Sequence, residues 1–432
     1  MTNAKKNNLS NDIGLQTGQI IWILTVAFFA LSVIIPTASP KHGGLYLLVL
    51  LALIAVMFLL GKGGSFSLKL TVFHWNLLGF TLFCFCSALW AVRPELSINR
   101  GLDRLEMFFA LSLLYLCFQN AESVRPLLKV IMWSGFFVVF YSFYSLGWSQ
   151  VVDLITTKSR VSNALINSNM LGMTAAYSVV ICIYFALFDK ARLDIVFTIP
   201  SVLIIAATGS RKAFVILVFG FVCLLAIKAL SNRSILKNIA LLLAMIAVIV
   251  ILYNLLSRFS LFAGTLERIQ MAVNGFLGEG EYDGSTQERM HLIEIGRRLF
   301  KEHPLLGVGI ENPSVFTEME IGKKNFYLHN NYWELLAGGG VIGLALYYWI
   351  YVYLMVCFWK YRDFKDDDFI ICSLLFFLRL VMDYGAVEYE TKSTYLFLLI
   401  FVFQAEKMRK RNNVDYQIEK EISNALGETV SS

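Results

Sequence analysis

The sequence is poor in charged residues. Only 16% of its 432 residues are Asp, Glu, Lys or Arg, whereas 57% are hydrophobic. Because soluble domains carry about 25% charged residues, this composition excludes a water-soluble globular fold and predicts a membrane protein with several spans. The net charge of +6 is small. Lysine, arginine and aromatic residues form no common polar patch, so the sequence predicts no binding to nucleic acid.

The sequence also lacks the cysteine patterns of a metal site or a disulfide framework. Its seven cysteines all fall inside apolar runs, and Cys84 and Cys86 are two apart rather than in a C-x-x-C motif. We interpret them as packing residues. The sequence has no internal repeat of fixed period and no inverted pair of broken hydrophobic segments, which is the pattern typical of transporters.

Long apolar runs fill most of the chain. A transmembrane helix needs about 20 apolar residues, and counting on that basis predicts an all-α, polytopic transmembrane helical bundle of about twelve spans. Because the first run is long for a signal peptide and further spans follow, we interpret it as a membrane helix. The predicted spans are 19–36, 44–60, 71–91, 104–118, 129–148, 169–188, 194–208, 213–229, 238–255, 331–359, 369–387 and 393–406.

This count divides the chain into four parts. Residues 1–255 hold spans one to nine, 256–330 form a large extracytoplasmic loop, 331–406 hold the last three spans, and 407–432 form a cytoplasmic tail. Lysine and arginine favour the cytoplasmic side, so both termini are expected inside. Several cations fall outside nonetheless, which suggests a phosphate ligand: Arg93, Arg100, Arg104, Lys158, Arg160, Arg211 and Lys212.

The loop 256–330 is too long for a simple connection between two spans, and loops of this length are usually functional. Its pattern predicts two helical pieces, Leu266 to Phe276 and Thr286 to Lys301. Ser285, with Glu288 three residues later, resembles the capping box that begins a helix. Arg289 lies in the first turns of this second piece, where a charge is either solvated or bound to a ligand.

Two further segments place polar groups at the predicted outer face. Arg211 and Lys212 interrupt two apolar runs in TGSRKAFVIL, residues 208–217. Arg211 is either an orientation anchor at the interface or a ligand contact. In YLHNNYWELLAGGGVIGL, residues 327–344, His329 and Asn330 precede the tenth span. His329 is either structural or part of a site. The glycines that follow, at 338–340 and 343, predict close packing of helices.

These segments together resemble the O-antigen ligase and polymerase superfamily of GT-C-type membrane glycosyltransferases. The resemblance rests on ATGSRKAF, on an arginine before HPLLGVG, and on LHNNYWELLAGGGVIG, in that order. SALWAVRPELSINRGL and RVSNALINSNMLG resemble earlier loops of the family. The resemblance implies an inverting enzyme of the cytoplasmic membrane that uses an undecaprenyl-diphosphate-linked saccharide at its outer, periplasmic or extracellular face. It also implies a glycan or glycolipid acceptor and, as further partners, other polysaccharide assembly proteins.

By this resemblance Arg211, Arg289 and His329 are the expected catalytic residues. Guanidinium groups bind phosphate oxygens bidentately and keep their charge, so two arginines can take the place of a metal. No metal or cofactor is therefore expected. His329 fits either a general base for the acceptor hydroxyl or a ligand of the diphosphate. The expected substrate-binding residues are Arg93, Arg160, Lys212 and Asn330.

The eleventh predicted span contains a second charged group. Arg379 and Asp383 are four residues apart, which predicts an intramembrane ion pair that is either structural or part of the site. Glu388 and Glu390 are alternative acid or base residues.

The interpretations of the protein as an enzyme differ in the acceptor of the saccharide. Polymerisation of surface polysaccharide repeat units is preferred, transfer of finished polymer to a lipid core by a ligase is the alternative, and protein O-glycosylation is a third. A transporter or flippase is the competing class. The large outer loop and the outer arginines argue against it.

Overall fold

The computed structural model describes residues 18–34, 43–62, 69–119, 121–157, 167–189, 193–230, 270–271, 284–322 and 326–430. Within these ranges the regular structure is helical and contains no strand, so the prediction of an all-α fold is confirmed. The predicted ninth span, 238–255, lies outside the described residues, as does Leu266 to Phe276 apart from residues 270–271, which are helical. The second predicted helical piece of the loop, Thr286 to Lys301, is confirmed, because it lies within the helix Gly284–Glu302.

Thirteen α-helices can be named within the described ranges, with a short 3₁₀ helix, Leu193–Phe197, before the seventh. In chain order they are α1 Gly18–Ile34, α2 Gly43–Lys62, α3 Val72–Ser87, α4 Pro94–Phe118, α5 Arg125–Thr157, α6 Ser168–Phe188, α7 Thr198–Thr208, α8 Arg211–Leu230, α9 Gly284–Glu302, α10 Pro313–Ile321, α11 Asn331–Lys360, α12 Asp367–Asp383 and α13 Lys392–Val430.

Not all predicted spans have the length of a membrane helix. Among the described residues three helices are long and apolar enough to cross a bilayer: Arg125–Gly147, Ser168–Phe188 and Asn331–Lys360. Shorter apolar helices cover four other predicted spans: Gly18–Ile34, Leu47–Leu59, Val72–Ser87 and Leu193–Thr208. The chain therefore has the helices of a membrane protein, and the number twelve stays a prediction.

Helix α6 is central to the bundle. It packs against α5, α7 and α8, while α3 packs against α4 and α11. The apolar side chains of α6 are buried around the whole circumference of that helix, which is expected of a helix enclosed by other helices. One cluster of buried side chains runs from Phe28 in α1 to Met408 in α13.

A turn of two residues joins α7 to α8. Gly209 ends α7 with a φ of +58°, a conformation that favours glycine. The Ser210 hydroxyl then accepts a hydrogen bond of 3.4 Å from the Ala213 N–H, so Ser210 caps α8. Because the turn is so short, Arg211 and Lys212 occupy the first turn of α8.

Helix α11 is interrupted at Gly340, whose φ of +62° is not helical. The loop after α9 fills this break with backbone hydrogen bonds. The N–H groups of Val308 and Gly309 donate to the carbonyls of Ala337 and Gly338, both at 2.9 Å. In return the N–H of Val341 donates to the Pro304 carbonyl, also at 2.9 Å. We call the paired segments 304–309 and 337–342 the backbone seam.

The seam changes the interpretation of the glycines in α11. Close helix packing explains two of them, because Gly339 and Gly343 lie against the Phe83 ring of α3. It does not explain Gly340. A Cβ atom there would lie 2.3 Å from the Leu305 carbonyl carbon and oxygen. The prediction of helix packing alone is therefore wrong at Gly340, where glycine permits the break in the helix.

We expect Gly340→Ala to lower the thermal unfolding midpoint of the purified protein by several degrees, because the added methyl group clashes with the seam. Gly322→Ala is the matched control. Gly322 has a similar φ of +73°, and among the described residues no heavy atom would lie within 4 Å of its added Cβ. The backbone strain is about 1–2 kcal/mol for alanine at Gly322, which is left-handed helical with ψ +9°, and about 1–3 kcal/mol at Gly340, whose ψ is −164°. Equal midpoints for the two variants would contradict the seam.

Candidate functional site

The predicted cations of two segments meet where α8 and α9 begin. Arg211, the first residue of α8, donates a hydrogen bond of 3.2 Å from Nη2 to the Thr286 hydroxyl in the first turn of α9. Arg289 follows one turn later on α9, and it lies close enough to Lys212 to lower the pKa of that side chain. The hairpin of α7 and α8 and the large loop therefore contribute to one group of charges.

His329 completes this group from the start of α11. Its φ of +56° is uncommon for a residue other than glycine. The turn is held in place by Glu334, whose carboxylate accepts a hydrogen bond of 2.7 Å from the Leu328 N–H. The imidazole packs on Tyr327, with the ring centroids 4.3 Å apart. Because backbone and ring are both restrained, the imidazole is preorganised. We call Arg211, Lys212, Arg289 and His329 the cation cluster.

Burial and the neighbouring cations keep the His329 imidazole neutral. Burial, followed by repulsion from Arg289 and then from Lys212, lowers the pKa of His329 to about 3. Lys212, which precedes the predicted span 213–229, also has a lowered pKa of about 7, mainly through burial and then through Arg289. Both lowered pKa values mean that additional positive charge in the cluster is unfavourable. An anion that entered the cluster would relieve this repulsion.

Helix dipoles act in the same direction as these side chains. Arg211 and Lys212 occupy the first turn of α8, and His329 lies two residues before α11. The amino terminus of a helix carries about half a positive charge and favours anions. Two cations in the first turn of α8 are unfavourable for the helix itself, so their placement suits an anionic ligand rather than the stability of α8.

The other predicted substrate-binding residues have different surroundings. Arg93 lies before α4, half-exposed, and forms an ion pair of 2.9 Å with Glu318. The Asn330 side chain is buried. Its carbonyl oxygen caps α11 by accepting a bond of 3.1 Å from the Trp333 N–H, and its amide donates 2.9 Å to the Tyr384 carbonyl. Arg160 lies outside the described residues. Asn330 therefore supports the turn that carries His329, and substrate binding by Asn330 and Arg93 stays a prediction.

The predicted pair of Arg379 and Asp383 is wrong. The Arg379 guanidinium forms its ion pair with Glu388 at 2.5 Å and also donates to the Thr394 hydroxyl. Asp383 instead accepts a hydrogen bond of 2.7 Å from the Tyr348 hydroxyl. The chain turns back after α12 and brings Glu388 beside Arg379, a contact that helical spacing alone does not predict.

A cavity of about 530 Å³ opens beside the cation cluster. Lys212 and Tyr327 form part of its wall. Another part is formed by segment 386–393, which follows α12 and includes the first two residues of α13. Glu388 and Glu390, the predicted alternative acids or bases, both line it. The cavity is therefore continuous with the cluster and adds carboxylates to its surroundings.

Three residues that shape the cluster escaped the sequence analysis. Thr286 contacts Arg211 across a separate part of the chain, and nothing in its local sequence indicates that contact. Tyr327 is only two residues from His329, but the sequence does not show that the two rings pack together. Glu334 binds the Leu328 N–H six residues earlier, which local sequence does not indicate either.

Comparison with known proteins gives a partial match. Residues 195–348 match the family model described as O-antigen ligase. No curated protein matches the chain. The matched segment contains Arg211, Arg289 and His329, which are the predicted catalytic residues. The match points to glycosyl transfer of the ligase or polymerase kind as the general activity. The resemblance of this chain to the O-antigen ligase and polymerase superfamily is thus confirmed.

Proposed function

We propose that this protein transfers a saccharide from undecaprenyl diphosphate to the hydroxyl group of a glycan or glycolipid acceptor, at the outer face of the cytoplasmic membrane. One observation carries the proposal: Arg211, Lys212, Arg289 and His329, from the start of α8, from α9 and from just before α11, form one group of charges. A diphosphate carries the charge that this arrangement favours. The match to the O-antigen ligase family model supports the same chemistry.

The proposed reaction is a single displacement that inverts the anomeric carbon. The acceptor oxygen attacks that carbon while its bond to the diphosphate oxygen breaks. The electron pair of the broken bond stays on undecaprenyl diphosphate, which leaves with one more negative charge. Arg211 and Arg289 stabilise the developing charge, and such preorganised stabilisation is usually the largest contribution to catalysis.

His329 is suited to receive the proton of the acceptor hydroxyl. Its imidazole is neutral in the free site, since burial, Arg289 and Lys212 lower its pKa to about 3. A bound diphosphate compensates the two cations and thereby raises the basicity of the imidazole. The general base would therefore become effective only when the donor is present.

The acceptor decides between two forms of this function. Extension of a surface polysaccharide by its repeat unit is the function that we prefer from the sequence. Transfer of finished polymer to a lipid core is favoured by the description of the matching family model, O-antigen ligase. A ladder of polymer lengths made from the lipid-linked repeat unit alone identifies a polymerase. Product that appears only with a lipid-core acceptor identifies a ligase.

We expect Arg211→Lys to lose most of the transfer activity although it keeps the charge, because one ammonium group cannot replace two parallel N–H donors. Arg362→Lys is the matched control, since Arg362 donates to the Trp359 carbonyl at the opposite end of α11 from His329, and it should retain activity. Initial rates with purified protein and lipid-linked donor measure both. Wild-type turnover by Arg211→Lys would contradict the proposal.

His329→Ala and Arg289→Ala should differ. Loss of the general base acts on the transition state, so His329→Ala should slow transfer by about 10²–10⁴-fold with donor affinity nearly unchanged. Arg289→Ala should weaken donor binding and transfer together. Binding of undecaprenyl diphosphate, measured beside the transfer rate, separates the two. Equal loss of binding in both variants would make His329 a ligand of the diphosphate instead.

The proposed orientation is open to a labelling test. A cysteine introduced at Ser285, at the start of α9, should react with an impermeant thiol reagent in intact spheroplasts. The unsubstituted protein is the control for its own cysteines, of which Cys86 is exposed. Labelling that requires permeabilised cells would place the loop on the cytoplasmic side and overturn the proposed location of the site.

A further inference from the structure

The cavity beside the cation cluster is a built site, and our inference about it rests on the proposed function. Segment 386–393 forms part of its wall. The cavity is also lined by Asn167, Asn169 and Tyr327, with Lys212 at the boundary to the cation cluster. A ligand in the cavity would therefore lie directly beside a donor bound at the cluster.

Other helices hold the backbone of this segment rigidly. The Asn331 side-chain oxygen accepts hydrogen bonds from the N–H groups of Glu388 and Tyr389, at 2.8 and 3.0 Å. The Arg104 guanidinium, which is fully buried, donates to the carbonyls of Tyr389 and Glu390, at 2.6 and 3.1 Å. Burying an arginine to fix two loop carbonyls is costly. Such an anchor preorganises the side chains that the segment presents.

Two buried polar atoms in residues that line the cavity have unused bonding capacity. Arg379 and Glu388 are 3% and 1% exposed. They form an ion pair through Arg379 Nη2 and Glu388 Oε2. Within the described part of the chain, Arg379 Nε and Glu388 Oε1 have no hydrogen-bond partner. A buried polar group without a partner is unfavourable, and more so when it is charged. The pair therefore has one unbonded donor and one unbonded acceptor, in two residues that line the cavity.

A hydroxyl group matches this pair, because it can donate one hydrogen bond and accept others. Saccharides carry several such groups on an otherwise compact ring. The lining of the cavity also includes the apolar side chains of Phe29, Val33 and Leu47, from α1 and α2. The cavity thus combines polar partners for sugar hydroxyls with apolar contacts, as an amphipathic glycolipid requires.

We propose that this cavity is the acceptor subsite and that Glu388, paired with Arg379, binds a hydroxyl of the acceptor saccharide. The bound sugar is thereby directed toward the anomeric carbon of the donor at the cation cluster. Glu388 does not remove the proton in this arrangement, because His329 is the proposed general base. Both residues lie outside the matched segment 195–348, so the family match does not assign them.

The test compares Glu388→Gln with the wild-type protein. The amide preserves the size of the side chain and removes the charge that holds the hydroxyl. Asp368→Asn is the matched control. Asp368 is also buried and paired with an arginine, Arg125, but it lies in the first turn of α12, at the opposite end of that helix from Asp383. Ser393→Phe fills the cavity without changing any ion pair and serves if Glu388→Gln does not fold.

Two measurements distinguish a loss of acceptor binding from a loss of donor binding. Initial transfer rates are recorded with increasing amounts of a lipid extract that supplies donor and acceptor. The extract comes from cells in which the only copy of this protein carries His329→Ala. Affinity for undecaprenyl diphosphate is measured directly. We expect Glu388→Gln and Ser393→Phe to raise the KM for the extract roughly tenfold or more, the effect of one lost charge-assisted hydrogen bond. Affinity for undecaprenyl diphosphate should stay within twofold.

An unchanged KM in Glu388→Gln would overturn the acceptor subsite, as would an equal rise in Asp368→Asn. Weaker binding of undecaprenyl diphosphate by Glu388→Gln would assign the cavity to the donor and also overturn it. Failure of the proposed function is a different outcome, in which wild-type protein neither binds undecaprenyl diphosphate nor forms product from the extract.

Discussion

The geometry of the cation cluster depends on the backbone seam between segments 304–309 and 337–342. Here a loop pairs with an interrupted helix, and the four N–H and carbonyl groups that the break at Gly340 would leave unbonded find partners in the loop. Buried backbone groups need such partners. The seam joins the loop that follows α9 to the interrupted part of α11, and it thereby ties together the helix that carries Arg289 and the helix that begins just after His329.

Electrostatic stress is the second constraint. Lys212 is repelled by Arg289 and Arg211, and the buried His329 imidazole is repelled by Arg289 and Lys212. Strongly shifted pKa values of this kind cluster at functional sites. The same arrangement explains a neutral His329 in the free site, and it links the base to the donor without any moving part. The acceptor subsite follows the same logic, because a rigid segment presents a buried ion pair with unused bonding capacity.

The sequence predicted the parts of the site better than their arrangement. Local patterns were sufficient to predict the all-α class, the short connection between spans 194–208 and 213–229, and the helix α9. Arg211, Arg289 and His329 could be singled out because charge in an apolar chain is conspicuous. The pairing of Arg379 with Glu388 and the break at Gly340 were missed, because both depend on contacts between segments distant in sequence. Hydropathy also overstated what helix length supports, since several apolar runs form helices shorter than a bilayer requires.

The pKa of His329, followed by NMR in the purified protein with and without undecaprenyl diphosphate, tests the cation cluster most directly. The chain has five histidines, so a His329→Ala spectrum assigns the signal. The account predicts a pKa far below the usual value of about 6.5 in the free protein and a clear rise when the diphosphate binds. A pKa near 6.5 that does not respond to undecaprenyl diphosphate would contradict it.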